Sequence, residues 1–130
     1  EEFVRVFLDG VDAAPAGAPP LALVGAALDS ATSFFGDERR SFARMRQSVI
    51  DANPALQERE RHKLAGLAAA IASALRTKGV AEPAATLAAE SGCTVFNLAF
   101  AQWLREDETR SLGPIADELL SELRMLSGTP

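Results

Sequence analysis

The feature that most restricts the fold is a junction near the middle of the chain, where two amphipathic helical patterns meet without a loop. Asn53 is followed there by Pro54. Proline disfavours α geometry in the residue before it, and it is tolerated at the first position of a helix because its missing N–H needs no partner there. Asparagine is a favourable N-cap residue. We therefore predict that one helix ends at Asp51 and that Asn53 caps a longer helix beginning at Pro54.

Elsewhere in the chain, apolar residues recur at intervals of three and four residues, which is the spacing of amphipathic helices. The pattern breaks at segments rich in proline and glycine, such as residues 14–20, which cannot continue a helix. We predict an all-α fold of six helices, the third capped by Asp37. The predicted helices span residues 1–11, 21–35, 38–51, 54–78, 83–105 and 112–126.

The composition agrees with a folded helical chain and excludes several classes of function. A hydrophobic content of 48% with 24% charged residues is typical of a globular protein, and 130 residues fit a single domain over residues 1–130. The net charge of −5 repels phosphate backbones, so the chain alone is a poor nucleic-acid binder. The sequence contains no glycine-rich phosphate loop and no HExxH, CxxC or GxSxG motif. We therefore expect no enzymatic activity, no metal and no cofactor.

The single cysteine, Cys93, and the single histidine, His62, support this expectation. One cysteine allows no internal disulfide, which suits a reducing cytoplasm, and one histidine argues against a metal site or a Ser-His-Asp arrangement. We interpret Cys93 as a small buried hydrophobe and His62 as part of a solvated charged face. Acids such as Asp29 and Glu90 interrupt every apolar run before the ~18 residues that a membrane span needs, so we expect a cytoplasmic domain without a membrane.

The predicted helix over residues 83–105 carries apolar residues on two opposite sides, and one small domain rarely buries both. Together with the last helix it could pair with a second copy around a two-fold axis, as a four-helix interface. Burial of both sides within one chain is the alternative. Trp103 is expected to be an anchor of the core or of this interface. The predicted interface residues are Leu87, Ser91, Thr94, Leu98, Ile115, Leu119 and Leu123.

Three segments carry a resemblance to a known family. They are the elbow sequence from Arg46 to Leu56, the long alanine-rich helix to Leu75, and Ala101-Gln102-Trp103-Leu104 followed by an amphipathic helix. The chain resembles the C-terminal ligand-binding and dimerisation domain of TetR-family transcriptional regulators, in particular the mycofactocin-type subgroup.

This resemblance implies a homodimer that senses a small effector. The middle helices offer phenylalanine, methionine, leucine and alanine and almost no hydroxyl groups, which favours a hydrophobic effector such as an acyl or an aromatic compound. The resemblance also implies that the effector releases the full-length protein from operator DNA, which would be bound only through an N-terminal helix-turn-helix domain not in this chain. The elbow would then be a hinge. A helical protein–protein interaction module without a small ligand remains the alternative. An internal cavity of roughly several hundred Å³ would distinguish the two.

Candidate ligand contacts come from the middle helices. Arg46 lies within the apolar side of its predicted helix, where a guanidinium needs a partner. It could pair with Glu60, extend its head group to solvent, or hold the anionic end of a ligand. The apolar candidates could equally be plain core, and Asn97 could bond a ligand or simply be exposed. The candidate ligand-binding residues are Phe34, Phe35, Met45, Arg46, Val49, Leu67, Ile71, Phe96, Asn97 and Phe100.

Overall fold

The computed structural model describes residues 2–128 of the chain, and within them it contains six α-helices and no strand. The all-α, six-helix prediction is therefore confirmed. Glu1, where the predicted first helix begins, lies outside the described residues. No helix within residues 2–128 is long and apolar enough to cross a membrane. The helices are α1 (Glu2–Ala13), α2 (Pro20–Phe34), α3 (Arg40–Asp51), α4 (Pro54–Thr77), α5 (Ala84–Trp103) and α6 (Leu112–Ser127).

The elbow between α3 and α4 has the predicted geometry. The Asn53 side-chain oxygen accepts hydrogen bonds from the backbone N–H groups of Ala55 at 3.0 Å and Leu56 at 3.3 Å. Pro54 occupies the first position of α4. The predicted N-cap is confirmed, and two of the unpaired N–H groups at the start of α4 are satisfied by it.

A second side chain, which the sequence did not single out, joins the two helices at the elbow. The Gln57 amide nitrogen donates to the carbonyl oxygens of Ile50 at 3.3 Å and Asp51 at 2.9 Å. These carbonyls lie in the last turn of α3, and that of Ile50 also accepts a hydrogen bond from the backbone N–H of Asn53 at 3.0 Å. The elbow is therefore held from both sides, by Asn53 at the start of α4 and by Gln57 at the end of α3.

The start of α3 differs from the prediction. Asp37 begins a short 3-10 turn, Asp37–Arg39, and α3 starts at Arg40 without a side-chain cap. The Asp37 carboxylate instead accepts a hydrogen bond from the Ser111 hydroxyl at 2.9 Å. Ser111 precedes α6, so this bond ties the start of α3 to the start of α6. The predicted capping role of Asp37 is wrong because a residue distant in sequence takes its carboxylate.

The core lies between α1, α2, α4, α5 and α6 and depends on close approach of the helices. A Cβ at Gly10 would lie 2.3 Å from the carbonyl oxygen of Ala26, so α1 and α2 meet there backbone against backbone. A Cβ at Gly92 would lie 2.7 Å from a methyl carbon of Val24, which brings α5 equally close to α2. The largest fully buried side chains are Trp103, Phe7, Leu23, Leu67, Leu75, Leu112, Ile115, Val11 and Val24.

The predicted interface residues separate into exposed and interior positions. On α5, Leu87 and Leu98 are 64% and 56% exposed, Thr94 is exposed, and Ser91 is half-buried. On α6, Leu119 and Leu123 are half-buried against the core. Ile115 is only 1% exposed and packs inside the protomer, so it is not available to a partner. Its place in the predicted interface is corrected, because the apolar stripe of α6 turns towards α5 and α2 at that point.

Candidate ligand-binding site

A cavity of about 890 Å³, partly open to solvent, lies between α3, α4 and α5. Phe3 of α1 and Phe35 at the end of α2 complete its lining. Small-molecule sites in proteins typically measure about 300–1,000 Å³. The cavity therefore has the size of a ligand site, and half of the candidate contacts predicted from the sequence line it.

Four phenylalanines form a continuous aromatic wall on one side of the cavity. The ring centroids of Phe35 and Phe100 are 5.3 Å apart, those of Phe96 and Phe100 are 5.6 Å apart, and those of Phe3 and Phe96 are 6.0 Å apart. These distances are within the range of favourable aromatic contacts. Behind the wall, Trp103 is fully buried with its ring centroid 5.5 Å from that of Phe100. This wall offers apolar contact area and no hydrogen-bonding groups.

Eight charged side chains also line the cavity, and among them cations outnumber carboxylates by two. The chain as a whole has the opposite balance, with a net charge of −5. The sum of local charges determines which ligands a cleft attracts, so this lining favours a ligand with an anionic group. The cations are Arg39, Arg44, Arg46, Lys63 and Arg105, and the carboxylates are Asp51, Glu60 and Glu106.

Arg46 has a partner already. Its guanidinium donates to the Glu60 carboxylate at 2.8 Å, across the cleft between α3 and α4, and the two side chains are 46% and 26% exposed. Lys63 approaches the same carboxylate oxygen at 4.0 Å and lies 4.5 Å from the ring centroid of Phe3. Of the roles that the sequence left open for Arg46, the structure shows the internal ion pair. The charge of Arg46 is thus compensated within the chain.

Arg39 is the cation of the lining that has no carboxylate partner among residues 2–128. Its guanidinium carbon lies 4.3 Å above the ring centroid of Phe34, and this stacking is its interaction in the structure. Phe34 is thereby placed beneath Arg39 and does not line the cavity. A stacked guanidinium keeps its donors free for an anion.

Five of the ten candidate ligand residues line the cavity: Phe35, Arg46, Phe96, Asn97 and Phe100. Met45 and Val49 line a second groove instead, which has a volume of about 320 Å³ and is also lined by Arg46. Leu67 and Ile71 are core residues, 0% and 3% exposed, and contribute to neither space. Periodicity indicated correctly that both point inwards on α4, but it could not separate the floor of a cavity from the centre of the core.

A comparison with family models supports the interpretation of this geometry. The model described as MftR C-terminal domain matches residues 18–126, which is most of the chain. The chain belongs to this family of TetR-type C-terminal domains. No curated protein matches the chain. TetR-family domains typically dimerise and bind small-molecule effectors, and their role is regulatory.

In this TetR-type domain, two arginines of α3 that the sequence analysis did not select donate to backbone carbonyls that follow Trp103, the last residue of α5. Arg44 donates to the carbonyl oxygens of Leu104 at 2.8 Å and Arg105 at 2.9 Å. Arg40 donates to the carbonyl oxygens of Glu108 and Arg110, and its guanidinium carbon lies 5.1 Å from the ring centroid of Trp103. Cations are favourable at helix C-termini because the last carbonyls lack partners. The four-residue spacing of Arg40 and Arg44, which puts both on one face of α3, was the signal available in the sequence.

Glu108 organises the segment between α5 and α6. Its side chain is 7% exposed and accepts hydrogen bonds from the Arg110 guanidinium, the Gln102 amide and the backbone N–H of Arg110. These donors, the Arg110 guanidinium foremost, lower the pKa of Glu108 to about 2. Glu108 is therefore a structural carboxylate that stays ionised at neutral pH.

The environment of Cys93 matches the expectation of a small buried hydrophobe. The side chain is 6% exposed, and burial, with a smaller effect of nearby Glu90, raises the pKa of the thiol to about 11. His62 is exposed, as expected for the charged face of α4. Neither residue belongs to the cavity lining.

Proposed function

We propose that this domain is the effector-binding and dimerisation domain of a TetR-like transcriptional regulator. The effector is a small, mainly hydrophobic molecule, and its binding releases the full-length protein from DNA, which is held by a helix-turn-helix domain outside this chain. The observation that carries the proposal is the cavity of about 890 Å³, whose lining combines an aromatic wall with more cations than carboxylates. Family membership supports the same role.

The lining favours an effector with an apolar body and one anionic end. Phe3, Phe35, Phe96 and Phe100 supply the apolar contact area, from which most of the affinity would come. Sugars and free nucleotides fit this wall poorly, because their polar groups would lose water there without gaining a partner. Acyl carboxylates and lipophilic aromatic acids have both an apolar body for the aromatic wall and an anionic group for the cations of the lining.

We assign the anionic end of the effector to Arg39 ahead of Arg46. Arg46 already pairs with Glu60 at 2.8 Å, so an anion would have to compete with a carboxylate in place. The Arg39 guanidinium lies over Phe34 without a carboxylate partner among residues 2–128. Charge-assisted hydrogen bonds to an unpaired guanidinium bring the larger gain, because no carboxylate of the protein has to be displaced.

A thermal-shift comparison tests this assignment. Straight-chain carboxylates and the alcohols of the same length are added to the wild-type domain and to the variants Arg39→Met, Arg46→Met and Arg61→Met. Carboxylates should raise the melting temperature more than alcohols in the wild type, and Arg39→Met should abolish that difference. Arg61→Met is the matched control, because Arg61 pairs with Glu58 on the surface and lines no cavity.

If neither class of compound shifts the melting temperature of any variant, the effector-binding proposal fails. If Arg46→Met removes the preference for carboxylates and Arg39→Met leaves it, the anion is held by Arg46 in exchange for Glu60. The preference must survive in Arg61→Met for either result to be specific to the cavity.

We also propose that the domain dimerises through α5 and α6. Leu87 and Leu98 are large apolar side chains, 64% and 56% exposed, on the same outer face of α5 as Thr94 and Ser91. Leu119 and Leu123 of α6 are half-buried and would be covered further by a second copy. A partner that covers such exposed apolar side chains removes them from water, which stabilises the dimer.

A protein–protein interaction module is the second candidate, and one observation favours it. Phe42, Met45 and Val49 form an exposed apolar row on α3, 64%, 57% and 55% exposed, away from the proposed dimer face. If a partner protein covers this row, the domain needs no small effector. The ligand screen above discriminates between the two, since an interaction module should show no carboxylate preference that depends on Arg39.

A further inference from the structure

The two residues of one ion pair line two cavities. The main cavity and the groove of about 320 Å³ share four lining residues, namely Phe42, Arg46, Ile50 and Glu60. We infer that the Arg46–Glu60 pair is a divider that limits the length of the effector, and that the groove behind it is a second binding compartment for the far end of a longer apolar chain. This inference rests on the proposed effector-binding function.

The groove is apolar and exposed. Phe42, Met45, Val49, Ile50 and Leu56 supply its apolar surface. Phe42, Met45 and Val49 are three of the seven large apolar side chains that are exposed within residues 2–128, and they lie on one side of α3. Covering such side chains with an alkyl chain removes apolar area from water on both the ligand and the protein.

Both members of the ion pair line both spaces, which is the arrangement expected of a divider. Arg46 belongs to α3 and Glu60 to α4, and their contact at 2.8 Å crosses the cleft that both cavities occupy. An alkyl chain leaving the main cavity towards the groove therefore meets two charged groups, which it cannot desolvate without loss. Both side chains are partly exposed, at 46% and 26%, and ion pairs in contact with water contribute little stability. The ion pair should therefore stop an alkyl chain from entering the groove. Removing the pair by mutation should change the stability of the domain little.

The size of the groove and its continuity with the main cavity favour a ligand chain over a protein partner. A volume of about 320 Å³ corresponds to about ten water molecules at their share of liquid volume. An α-helix with its side chains is about 10–12 Å wide, so a partner helix would place only single side chains in this groove. The lining from Phe42 to Ile50 extends about 12 Å along α3, which suits a short stretch of alkyl chain.

Isothermal titration with straight-chain carboxylates of increasing length tests the divider. In the wild-type domain the affinity should rise about fourfold per added methylene until the main cavity is filled, and then stop rising. In the double variant Arg46→Ala/Glu60→Ala the rise should continue for several more methylenes. The charge-exchanged variant Arg46→Glu/Glu60→Arg rebuilds the pair and should restore the original limit.

Two further variants make the result specific. Glu58→Ala/Arg61→Ala removes a surface ion pair of α4 that lines neither space, and it should keep the wild-type limit. Adding Met45→Glu to the double-alanine variant places a charge in the groove and should cancel the extension. Circular dichroism of each variant confirms that the helices are retained.

If the affinity of Arg46→Ala/Glu60→Ala stops rising at the same carboxylate length as in the wild type, the ion pair is not a divider and the inference is wrong. Binding of the shorter carboxylates would still support the proposed function. Absence of binding by every carboxylate in the wild type overturns both. If Met45→Glu changes the molecular mass in solution and leaves the length series unaltered, the groove is an interface between protein chains, and the inference is wrong.

Discussion

Arg44 of α3 donates to the carbonyl oxygen of Leu104 at 2.8 Å, and this bond joins the helix that lines the cavity to the end of α5. Arg44 and Leu104 both line the cavity, while the same α5 carries the exposed Leu87 and Leu98 of the proposed dimer face. A ligand that displaces Arg44 would therefore disturb the end of a dimer helix directly. Such a ligand can shift the dimer geometry only by the difference in its affinity for the two arrangements.

Replacing Arg44 by alanine should reduce the free energy of unfolding by about 1–3 kcal/mol, because two carbonyls at the end of α5 lose a charged donor. Arg44→Lys keeps the charge but has no planar fork to reach both carbonyls, so it should recover only part of the loss. Urea denaturation followed by circular dichroism measures both. A loss in Arg44→Ala no larger than in the surface variant Arg61→Ala would show that the bonds to α5 contribute nothing.

The dimer face is tested by comparing an exposed leucine with a buried isoleucine. Leu98→Glu should convert a dimer of twice 13.8 kDa into a folded monomer, since Leu98 is 56% exposed within the protomer. Its melting temperature should fall only by the stabilisation that dimerisation supplied. Ile115→Ala should cost about 2–5 kcal/mol of protomer stability, since Ile115 is 1% exposed. Light scattering and denaturant titration separate the two effects. A wild-type domain that is monomeric at micromolar concentration would contradict the dimer proposal.

The contrast between Leu98 and Ile115 shows how far periodicity predicts this structure. Helical spacing placed all six helices, and the chemistry of Asn53-Pro54 placed the elbow to the residue, because these signals are local. Spacing also identified the two residues as apolar positions on their helices. It could not tell which apolar stripe meets the core and which meets solvent, because that depends on how helices distant in sequence pack.

The same limit applies to the charged residues of the site. The Arg46–Glu60 pair was among the sequence alternatives, since both residues lie on apolar stripes on either side of the elbow. Arg44 and Arg105, at the end of α5, are 61 residues apart in the sequence. Asp37 and Ser111 are 74 residues apart. No spacing rule within one helix indicates such contacts. Only half of the candidate ligand residues line the cavity. Leu67 and Ile71 face inwards on α4, as predicted, but they lie in the core beneath the cavity.

Glu108 should make the domain less stable in acid. Its carboxylate has a pKa of about 2 in the folded protein and an ordinary value of 4.5 in the unfolded chain, so the unfolded chain binds more protons between these pH values. The stabilisation is therefore fully present above about pH 4.5 and is lost as the pH falls towards 2. Denaturation of wild type and Glu108→Gln from pH 6 to 2.5 tests this: the stability of the wild type should fall towards that of the variant. Parallel curves for the two proteins would contradict the assignment.

The elbow itself can be tested through its cap. Asn53→Ala removes the acceptor for the N–H groups of Ala55 and Leu56, and loss of an N-cap side chain typically costs about 1 kcal/mol. Asn53→Asp keeps the acceptor and adds a negative charge next to the positive end of the α4 dipole, so it should be at least as stable as the wild type.

Gln57→Ala removes the bonds to the end of α3 and should cost a similar amount, about 0.5–1.5 kcal/mol. Asn53 caps the start of α4, and Gln57 bonds to the end of α3. If the two helices move independently at the elbow, the double variant should lose as much stability as the two single variants together. A loss that departs from the sum by more than about 0.5 kcal/mol in urea denaturation would show that the cap and the Gln57 bonds act as one unit, and that the elbow is a rigid joint.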